Sequence, residues 1–200
     1  MDQKFEGLIQ GVINTGFGMT NTFLDPPLLS DLSDHVNYLF EEGELEEAGI
    51  GKSFLHEKTT EIRSDYTKWL SRASDVQLES DYLTMLDDFK YYLNRTCFTA
   101  LKGHEAMFAA YPKGSYYLKH RDQFKLDMSR QYTLVLYLTK NWQDGDGGEL
   151  KIWTEDGKVH TIKPKLGHAV FFPSQLEHEV LKTNKRRLSI TSWFKTIMAQ

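Results

Sequence analysis

Residues 104–139 read HEAMFAAYPKGSYYLKHRDQFKLDMSRQYTLVLYLT, and from this stretch onward apolar and polar side chains alternate along the chain. Alternation with a period of two is typical of half-buried β-strands. The pattern continues to residue 194 and is broken by turns rich in glycine and proline. It predicts eight short strands, at 104–111, 116–120, 131–139, 149–153, 158–163, 168–172, 177–181 and 187–194. Eight short strands in succession favour a double-stranded β-helix, also called a jelly roll.

The residues before 104 show a different period, because their apolar side chains recur every three or four positions as in helices. The clearest predicted helix carries Leu78, Leu86 and Leu93 on one face and is expected to end at Gly103. Cys97 continues that face and is expected to be a small buried hydrophobic side chain. Residues 49–69 mix β-branched, polar and glycine residues. They predict two short strands joined by a loop at about 51–61.

Together these patterns predict an α+β fold with a jelly-roll core and supporting N-terminal helices. We expect a single domain over residues 1–200, in which 1–103 form mainly helical support and 104–194 form the core. A chain of this length buries roughly 70% of the surface that its unfolded form exposes. A separate small domain is therefore not needed to explain its size.

The composition excludes several function classes. The 24 basic and 28 acidic residues give a net charge of −4, so there is no electrostatic case for binding nucleic acid. A single cysteine excludes a disulfide framework and a multi-cysteine metal site. No basic N-terminal region followed by an apolar run is present, and no apolar stretch approaches 18 residues. We expect a cytoplasmic protein without a membrane partner, and the sequence leaves the oligomeric state open.

One histidine begins a His-x-Asp sequence, His120-Arg121-Asp122, at the predicted end of a strand. Residues i and i+2 of a strand project to the same face, so the imidazole and the carboxylate can bind one metal ion. His178 begins a late strand and is the candidate third ligand. Two histidines and one carboxylate on one face of a metal are the pattern of non-haem Fe(II) oxygenases. The alternative is a surface ion pair of the His-x-Asp residues with Arg121 or Lys119.

For the third metal ligand and for the carboxylate-binding arginine, the sequence offers two candidates each. His168 also lies in a late strand, but a lone strand histidine is more often structural, which favours His178 as the third ligand. Arg186 and Arg187 both open the last strand, and a guanidinium there could bind the distal carboxylate of a 2-oxo acid. Strand parity favours Arg187, which shares a face with Thr191.

The run Tyr111 … His120-x-Asp122 … Tyr137 … His178-Glu179-Val180 … Arg187 … Thr191-x-Trp193 resembles the Fe(II)/2-oxoglutarate-dependent prolyl 4-hydroxylases. It is most similar to the hypoxia-inducible-factor prolyl hydroxylase branch and its bacterial homologues. Upstream, Ile62-Arg63-x-Asp65 … Trp69 resembles the second finger-loop strand of that branch, and Met85-Leu86-Asp87-Asp88 resembles its long helix. The resemblance extends over about residues 17–194.

The resemblance implies roles for individual residues. It implies that His120, Asp122 and His178 bind Fe(II). It implies that Arg187 and the hydroxyl of Tyr137 bind the 5-carboxylate of 2-oxoglutarate. The remaining pocket residues that it implies are Tyr111 beside the cosubstrate and Met107, Val135, Leu150, Thr191 and Trp193 in the lining. It also implies an ion pair between Asp65 and Arg130 that holds the finger-loop strand to the barrel.

The activity that the resemblance implies is hydroxylation of a prolyl residue in a protein substrate. O2 and 2-oxoglutarate would be consumed, hydroxyproline, succinate and CO2 would be formed, and ascorbate would serve as reductant. The short loop at 51–61 and the short segment after Trp193 leave the substrate open, with elongation factor Tu as first candidate and oxygen sensing as a further role. The alternatives are an oxygenase acting on a small molecule or another amino-acid residue, and a non-catalytic metal-binding jelly roll.

Overall fold

The computed structural model describes residues 2–49, 62–123 and 127–196. The N-terminal half contains three helices, α1 (Asp2–Thr15), α2 (Pro26–Glu41) and α3 (Gln77–Cys97). Three short strands lie between them, β1 (Gly18–Thr20), β2 (Glu46–Glu47) and β3 (Tyr66–Trp69). Eight strands follow, β4 (Gly103–Tyr111), β5 (Tyr117–His120), β6 (Arg130–Tyr137), β7 (Leu150–Trp153), β8 (Val159–Ile162), β9 (Ala169–Pro173), β10 (His178–Val180) and β11 (Arg187–Lys195).

The strands form two antiparallel sheets. Within the described ranges, the larger sheet has the order β1-β9-β6-β11-β4-β3-β2 and the smaller one has the order β5-β10-β7-β8. Of the eight late strands, β4, β6, β9 and β11 lie in the larger sheet and β5, β7, β8 and β10 in the smaller one, so the chain changes sheet after every strand except between β7 and β8. This is a double-stranded β-helix with N-terminal helices. The predicted α+β class is confirmed, and each of the eight predicted strands is present within two residues of its expected bounds.

The larger sheet has one apolar face toward the helices and one toward the smaller sheet. On the helix side, the ring of Phe89 in α3 lies 4.7 Å from Phe5, 5.0 Å from Phe171 and 5.5 Å from Phe194, measured between ring centroids. All four rings are at most 1% exposed. Between the sheets lies a second buried cluster that includes Val135, Tyr137, Ile152, Phe172 and Leu176. The helices therefore brace one side of the sheet and leave the other side for the site.

Helix α3 ends earlier than predicted. Its last residue is Cys97, and Phe98 adopts the left-handed conformation with φ 54°. The side chain of Asn94 holds the chain beyond the helix, because its Oδ1 accepts hydrogen bonds from Thr99 Oγ1 at 2.8 Å and from the backbone NH of Leu101 at 2.7 Å. The last turn is exposed, including Cys97. The predictions of a helix to Gly103 and of a buried Cys97 were wrong, since α3 ends at Cys97 and no element within the described ranges buries that side chain.

Two paired strands are present near residues 49–69, but the first of them lies earlier in the chain than predicted. β3 lies inside that range, but β2, which pairs with it, lies just before it. The predicted loop at 51–61 falls outside the described residues. In the parts of the chain that the structure describes, no helix is both long and apolar enough to cross a bilayer.

Candidate active site

Three side chains meet where the last residue of β5 lies beside the first residue of β10. His120 ends β5, Asp122 follows two residues later, and His178 begins β10, where it is the register partner of His120. Nε2 of His120 lies 3.6 Å from Oδ1 of Asp122, and Nε2 of His178 lies 3.4 Å from Oδ2. Among the described residues, these three form the one group of His, Cys, Asp or Glu side chains with ligand atoms within 4.8 Å of one another.

Backbone carbonyls orient both imidazoles. Nδ1 of His120 lies 2.8 Å from the carbonyl oxygen of Leu118, and Nδ1 of His178 lies 2.9 Å from that of Leu176. Because a carbonyl oxygen only accepts, each Nδ1 is the donor of this hydrogen bond, which leaves each Nε2 as the atom available to a metal. A hydrogen bond of this kind is the usual partner of a metal-binding histidine.

The carboxylate of Asp122 is held by residues that sequence reasoning did not identify. Thr133 on β6 donates a hydrogen bond from Oγ1 to Oδ2 at 2.8 Å, and the hydroxyl of Ser174 lies 2.8 Å from Oγ1 of Thr133. The backbone NH of Asp122 donates to the carbonyl oxygen of Ser174 at 3.1 Å. Neither Thr133 nor Ser174 stands near Asp122 in sequence, so no motif could have indicated them.

The electrostatics of the cluster suit a cation. Burial opposes ionisation of Asp122, but His178 and His120 outweigh it and hold the pKa of this carboxyl well below its usual value. Burial also opposes the charged form of His178, yet Asp122 raises the pKa of that imidazole. Burial, followed by repulsion from His178, lowers the pKa of His120. An anionic oxygen and two imidazole nitrogens, all directed at one point, form a donor set that fits Fe(II).

A second group of polar atoms lies at the other end of the same face. Arg187 opens β11, is 2% exposed and lies opposite Tyr111 of β4. Its guanidinium carbon is 4.7 Å from the ring centroid of Tyr111 and 5.0 Å from that of Tyr137. One of its terminal nitrogens donates to Oγ of Ser189 at 3.0 Å.

Two of these buried polar atoms have no hydrogen-bond partner in the described part of the chain, Nε of Arg187 and the hydroxyl of Tyr137. Burial raises the pKa of Tyr137 to about 12, although the positive charge of Arg187 opposes the rise, so the phenol stays protonated and can donate. Leaving a buried donor unpaired costs roughly 1–3 kcal/mol. A carboxylate ligand would accept from both groups, and the donor set therefore fits the distal carboxylate of a 2-oxo acid.

A cavity of about 190 Å³ connects the histidine cluster with Arg187. All the predicted site residues line it except Tyr137, which is buried beside Arg187. The residues so placed are Met107, Tyr111, His120, Asp122, Val135, Leu150, His178, Arg187, Thr191 and Trp193. The rival residues lie elsewhere: His168 borders a different groove, and Arg186 donates to Asn37 and Glu41 of α2 at 2.7 and 2.5 Å.

The cavity also has lining residues to which the sequence assigned no place in the pocket. Tyr117 stacks on the ring of His120, with 3.5 Å between centroids and 11° between planes. The guanidinium of Arg63 lies 4.5 Å from the ring centroid of Tyr117. Glu105, Arg121 and Arg130, together with the exposed Trp69, complete this side of the lining. They come from separate strands and loops, and only folding brings them to one place.

The predicted ion pair between Asp65 and Arg130 is absent. Arg63 binds Asp65 through two hydrogen bonds of 2.7 and 2.6 Å, and this carboxyl is 1% exposed. Arg130 instead pairs with Glu105, at 2.8 Å from Nε and 2.7 Å from a terminal nitrogen. The expectation was wrong because Arg63 is two residues from Asp65 on the same segment, whereas Glu105 offers Arg130 a carboxylate on its own sheet.

The sequence and the fold are both similar to those of known proteins. The family model described as the 2OG-Fe(II) oxygenase superfamily matches residues 106–195. The crystal structure of a Pseudomonas putida prolyl-4-hydroxylase superposes with a TM-score of 0.86 and 31% sequence identity, covering 96% of this chain and 99% of that one. The chain belongs to the 2OG-Fe(II) oxygenase superfamily. The cofactors of this oxygenase are therefore Fe(II) and 2-oxoglutarate, which the donor sets described above fit.

Two further proteins are similar to this oxygenase, one in structure and one in sequence. A Trichoplax adhaerens prolyl hydroxylase in complex with a hypoxia-inducible-factor oxygen degradation domain peptide has the same fold, with a TM-score of 0.86 and 24% identity over 96% of the oxygenase and 89% of that chain. A PKHD-type hydroxylase from Psychrobacter sp. (strain PRwf-1) is 35% identical over 100 residues, 46% of the oxygenase and 38% of that protein. The oxygenase spans only 23–43% of the length of the curated relatives that it matches.

Proposed function

We propose that this oxygenase hydroxylates a prolyl residue of a protein substrate, consuming O2 and 2-oxoglutarate and releasing succinate and CO2. The observation that carries the proposal is the likeness to the Pseudomonas putida prolyl-4-hydroxylase over almost the whole of both chains. The pocket geometry is consistent with it, because the histidine cluster and the Arg187 group lie in one cavity.

His120, Asp122 and His178 are the proposed Fe(II) ligands. When bound, Fe(II) supplies the redox chemistry that couples oxidation of 2-oxoglutarate to hydroxylation. The contribution of the chain would be to hold the metal by the two Nε2 atoms and the Asp122 carboxylate. Because these three residues line the cavity, the cosubstrate and O2 could reach the metal from the pocket.

Arg187 and Tyr137 are the proposed partners of the 5-carboxylate of 2-oxoglutarate. The guanidinium supplies a fixed positive charge, and the Tyr137 hydroxyl supplies a neutral donor. Burial raises the pKa of Tyr111 as well, so its phenol is a neutral donor beside the cosubstrate. The proposed apolar and small lining, which excludes water from the reacting atoms, consists of Met107, Val135, Leu150, Thr191 and Trp193.

The proposed substrate is a protein loop that carries a proline. A protein of the same fold holds a peptide in the Trichoplax adhaerens complex, which supports this class of substrate. Elongation factor Tu is the first candidate to test, oxygen sensing is a proposed further role, and ascorbate is the proposed reductant. We place the reaction in the cytoplasm as part of the same proposal.

The test is to incubate the purified protein with Fe(II), 2-oxoglutarate, ascorbate, heavy dioxygen and a cell lysate, and to map the label by peptide mass spectrometry. We expect the label on one proline of one protein, together with succinate. Asp122→Ala should abolish both products, whereas Asp144→Ala, which removes an exposed carboxylate paired with Lys163, should not. Succinate without a labelled peptide would indicate a small-molecule substrate, and neither product would favour a metal-binding module without catalysis.

A further inference from the structure

A cluster of charged and aromatic side chains forms one wall of the pocket, and we name it the Glu105 wall: Glu105, Arg130, Trp193 and Lys195. Oε1 of Glu105 accepts from Arg130 at 2.8 and 2.7 Å, and Oε2 accepts from Nζ of Lys195 at 3.1 Å. One carboxylate thus binds two cations, one through each oxygen. The guanidinium carbon of Arg130 lies 3.8 Å from the ring centroid of Trp193, which places the cation against the face of the indole.

Sheet register explains the wall. Trp193 of β11 is the partner of Glu105 on β4 and of Thr133 on β6, and Lys195 is the partner of Arg130 across a bulge. Each strand therefore contributes its charged or aromatic residue to the same end of the sheet. The side chains are largely shielded from solvent, with 5% exposed for Lys195, 14% for Arg130 and 21% for Glu105.

The wall connects the mouth of the pocket to the metal site. Glu105, Arg130 and Trp193 all line the cavity. Trp193 lies opposite Thr133, the residue that donates to Asp122, and its ring centroid is 5.8 Å from that of the exposed Trp69. Gln123, the residue after Asp122, donates from Nε2 to the carbonyl oxygen of Arg130 at 3.0 Å. A displacement of Arg130 would therefore change the contacts of Trp193 at the mouth of the pocket and of Gln123 beside the ligand Asp122.

Within the described part of the chain, no ion pair ties the Glu105 wall to the segment before β3. Asp65, on that segment, forms its ion pair with Arg63 and not with Arg130. The charged groups that face Glu105 are Arg130 and Lys195, and they outweigh burial in keeping its pKa below the usual value. The carboxylate is therefore ionised at neutral pH and holds both cations.

We propose that Glu105 is a positioning residue, which holds Arg130 against the face of Trp193 and so keeps rigid the surface against which the protein substrate docks. This inference rests on the proposed function, because it assigns the wall to the protein substrate and not to 2-oxoglutarate. Glu105 acts through Arg130 and does not itself touch the reacting atoms. Its loss should therefore raise the concentration of protein substrate needed for half-saturation. The end of the pocket that binds 2-oxoglutarate should stay intact.

The test measures heavy-oxygen labelling against increasing concentrations of the lysate protein, with the wild type and Glu105→Gln. Glutamine keeps the size of the side chain and removes the charge. We expect the half-saturating lysate concentration to rise about tenfold, the order of magnitude that loss of a hydrogen bond between charged groups represents, while KM for 2-oxoglutarate changes less than about twofold. Glu44→Gln is the matched control, because Glu44 forms a 2.6 Å ion pair with Lys68 outside the pocket lining.

A double-mutant cycle separates positioning from direct contact. If Glu105 acts through Arg130, Glu105→Gln should add nothing in an Arg130→Gln background. Arg130→Lys keeps the charge that faces Glu105 but lacks the planar group that stacks, and it should resemble Glu105→Gln. Thermal melts establish that each variant is folded at the assay temperature.

Three results would overturn the inference. The first is that Glu105→Gln has the half-saturating lysate concentration of the wild type, and the second is that the effects of Glu105→Gln and Arg130→Gln add in the double-mutant cycle. The third is that KM for 2-oxoglutarate rises as much as the half-saturating lysate concentration. A wild-type enzyme that labels no protein at all would instead overturn the proposed function, so the two failures are distinguishable.

Discussion

At the scale of single residues, the metal site depends on a hydrogen bond that no motif contains. Thr133 donates to Oδ2 of Asp122, and the hydroxyl of Thr133 is itself paired with that of Ser174. All three side chains are at most 7% exposed. The bond therefore fixes the rotation of the carboxylate relative to the two imidazoles.

We predict that Thr133→Val weakens Fe(II) binding about 10- to 100-fold, because loss of a hydrogen bond to a metal ligand typically has this effect. Valine has nearly the shape of threonine and lacks the donor. Anaerobic titration with Fe(II) measures the affinity. Thr161→Val, at an exposed position of β8, is the control and should bind as the wild type does. An unchanged affinity in Thr133→Val would show that Asp122 is held in place without this bond.

At the scale of secondary-structure elements, helix α3 supports the strand that carries most of the pocket. The hydroxyl of Tyr82 lies 2.9 Å from Oγ of Ser192, and both residues are fully buried. Ser192 lies between Thr191 and Trp193 on β11 and faces the helices, while its two neighbours face the pocket. The hydrogen bond thus ties the helix layer to the back of the pocket wall.

Tyr82→Phe should lower the free energy of unfolding by about 1–3 kcal/mol, because it leaves the buried hydroxyl of Ser192 without its partner. Urea denaturation followed by circular dichroism measures the change. Tyr91→Phe provides the comparison on the same helix, since Tyr91 is 67% exposed, and it should change stability by less than about 0.5 kcal/mol. Equal stabilities of the two variants would mean that Ser192 finds another partner.

At the scale of the whole molecule, the helices and the larger sheet share one hydrophobic core. Phe89 of α3 packs against Phe5 of α1, Phe171 of β9 and Phe194 of β11. Since residues from both halves of the chain meet in this cluster, we propose that residues 1–200 form a single cooperative domain.

We predict that Phe89→Ala destabilises the protein by about 3–5 kcal/mol, the usual range for removing a buried phenylalanine from a core. Helix and tertiary signals, followed by far- and near-ultraviolet circular dichroism, should still be lost in one transition. Phe98→Ala, at a position that is 87% exposed, should change stability by less than about 0.5 kcal/mol. Separate transitions for the two signals would contradict the single domain.

Periodicity and local spacing in the sequence were sufficient for the architecture and for the centre of the site. The alternation after residue 104 predicted all eight late strands, because successive side chains point to opposite faces in every strand separately. Strand parity likewise predicted that Arg187 and Arg186 point to opposite faces, and in the structure Arg187 lines the cavity while Arg186 donates to Asn37 of α2. His120 and Asp122 were identifiable from their spacing alone, although β5 ends at His120 and Asp122 lies two residues beyond it.

Only the tertiary structure decided which separate segments meet. Sequence reasoning paired Arg130 with Asp65, but the fold pairs Arg130 with Glu105 across the sheet and leaves Asp65 to Arg63. It expected Cys97 to be buried, but the side chain is exposed at the end of α3, where no described element packs over it. Side-chain partners depend on register and on which surfaces remain uncovered. Both are properties of packed elements, whereas periodicity is a property of each element alone.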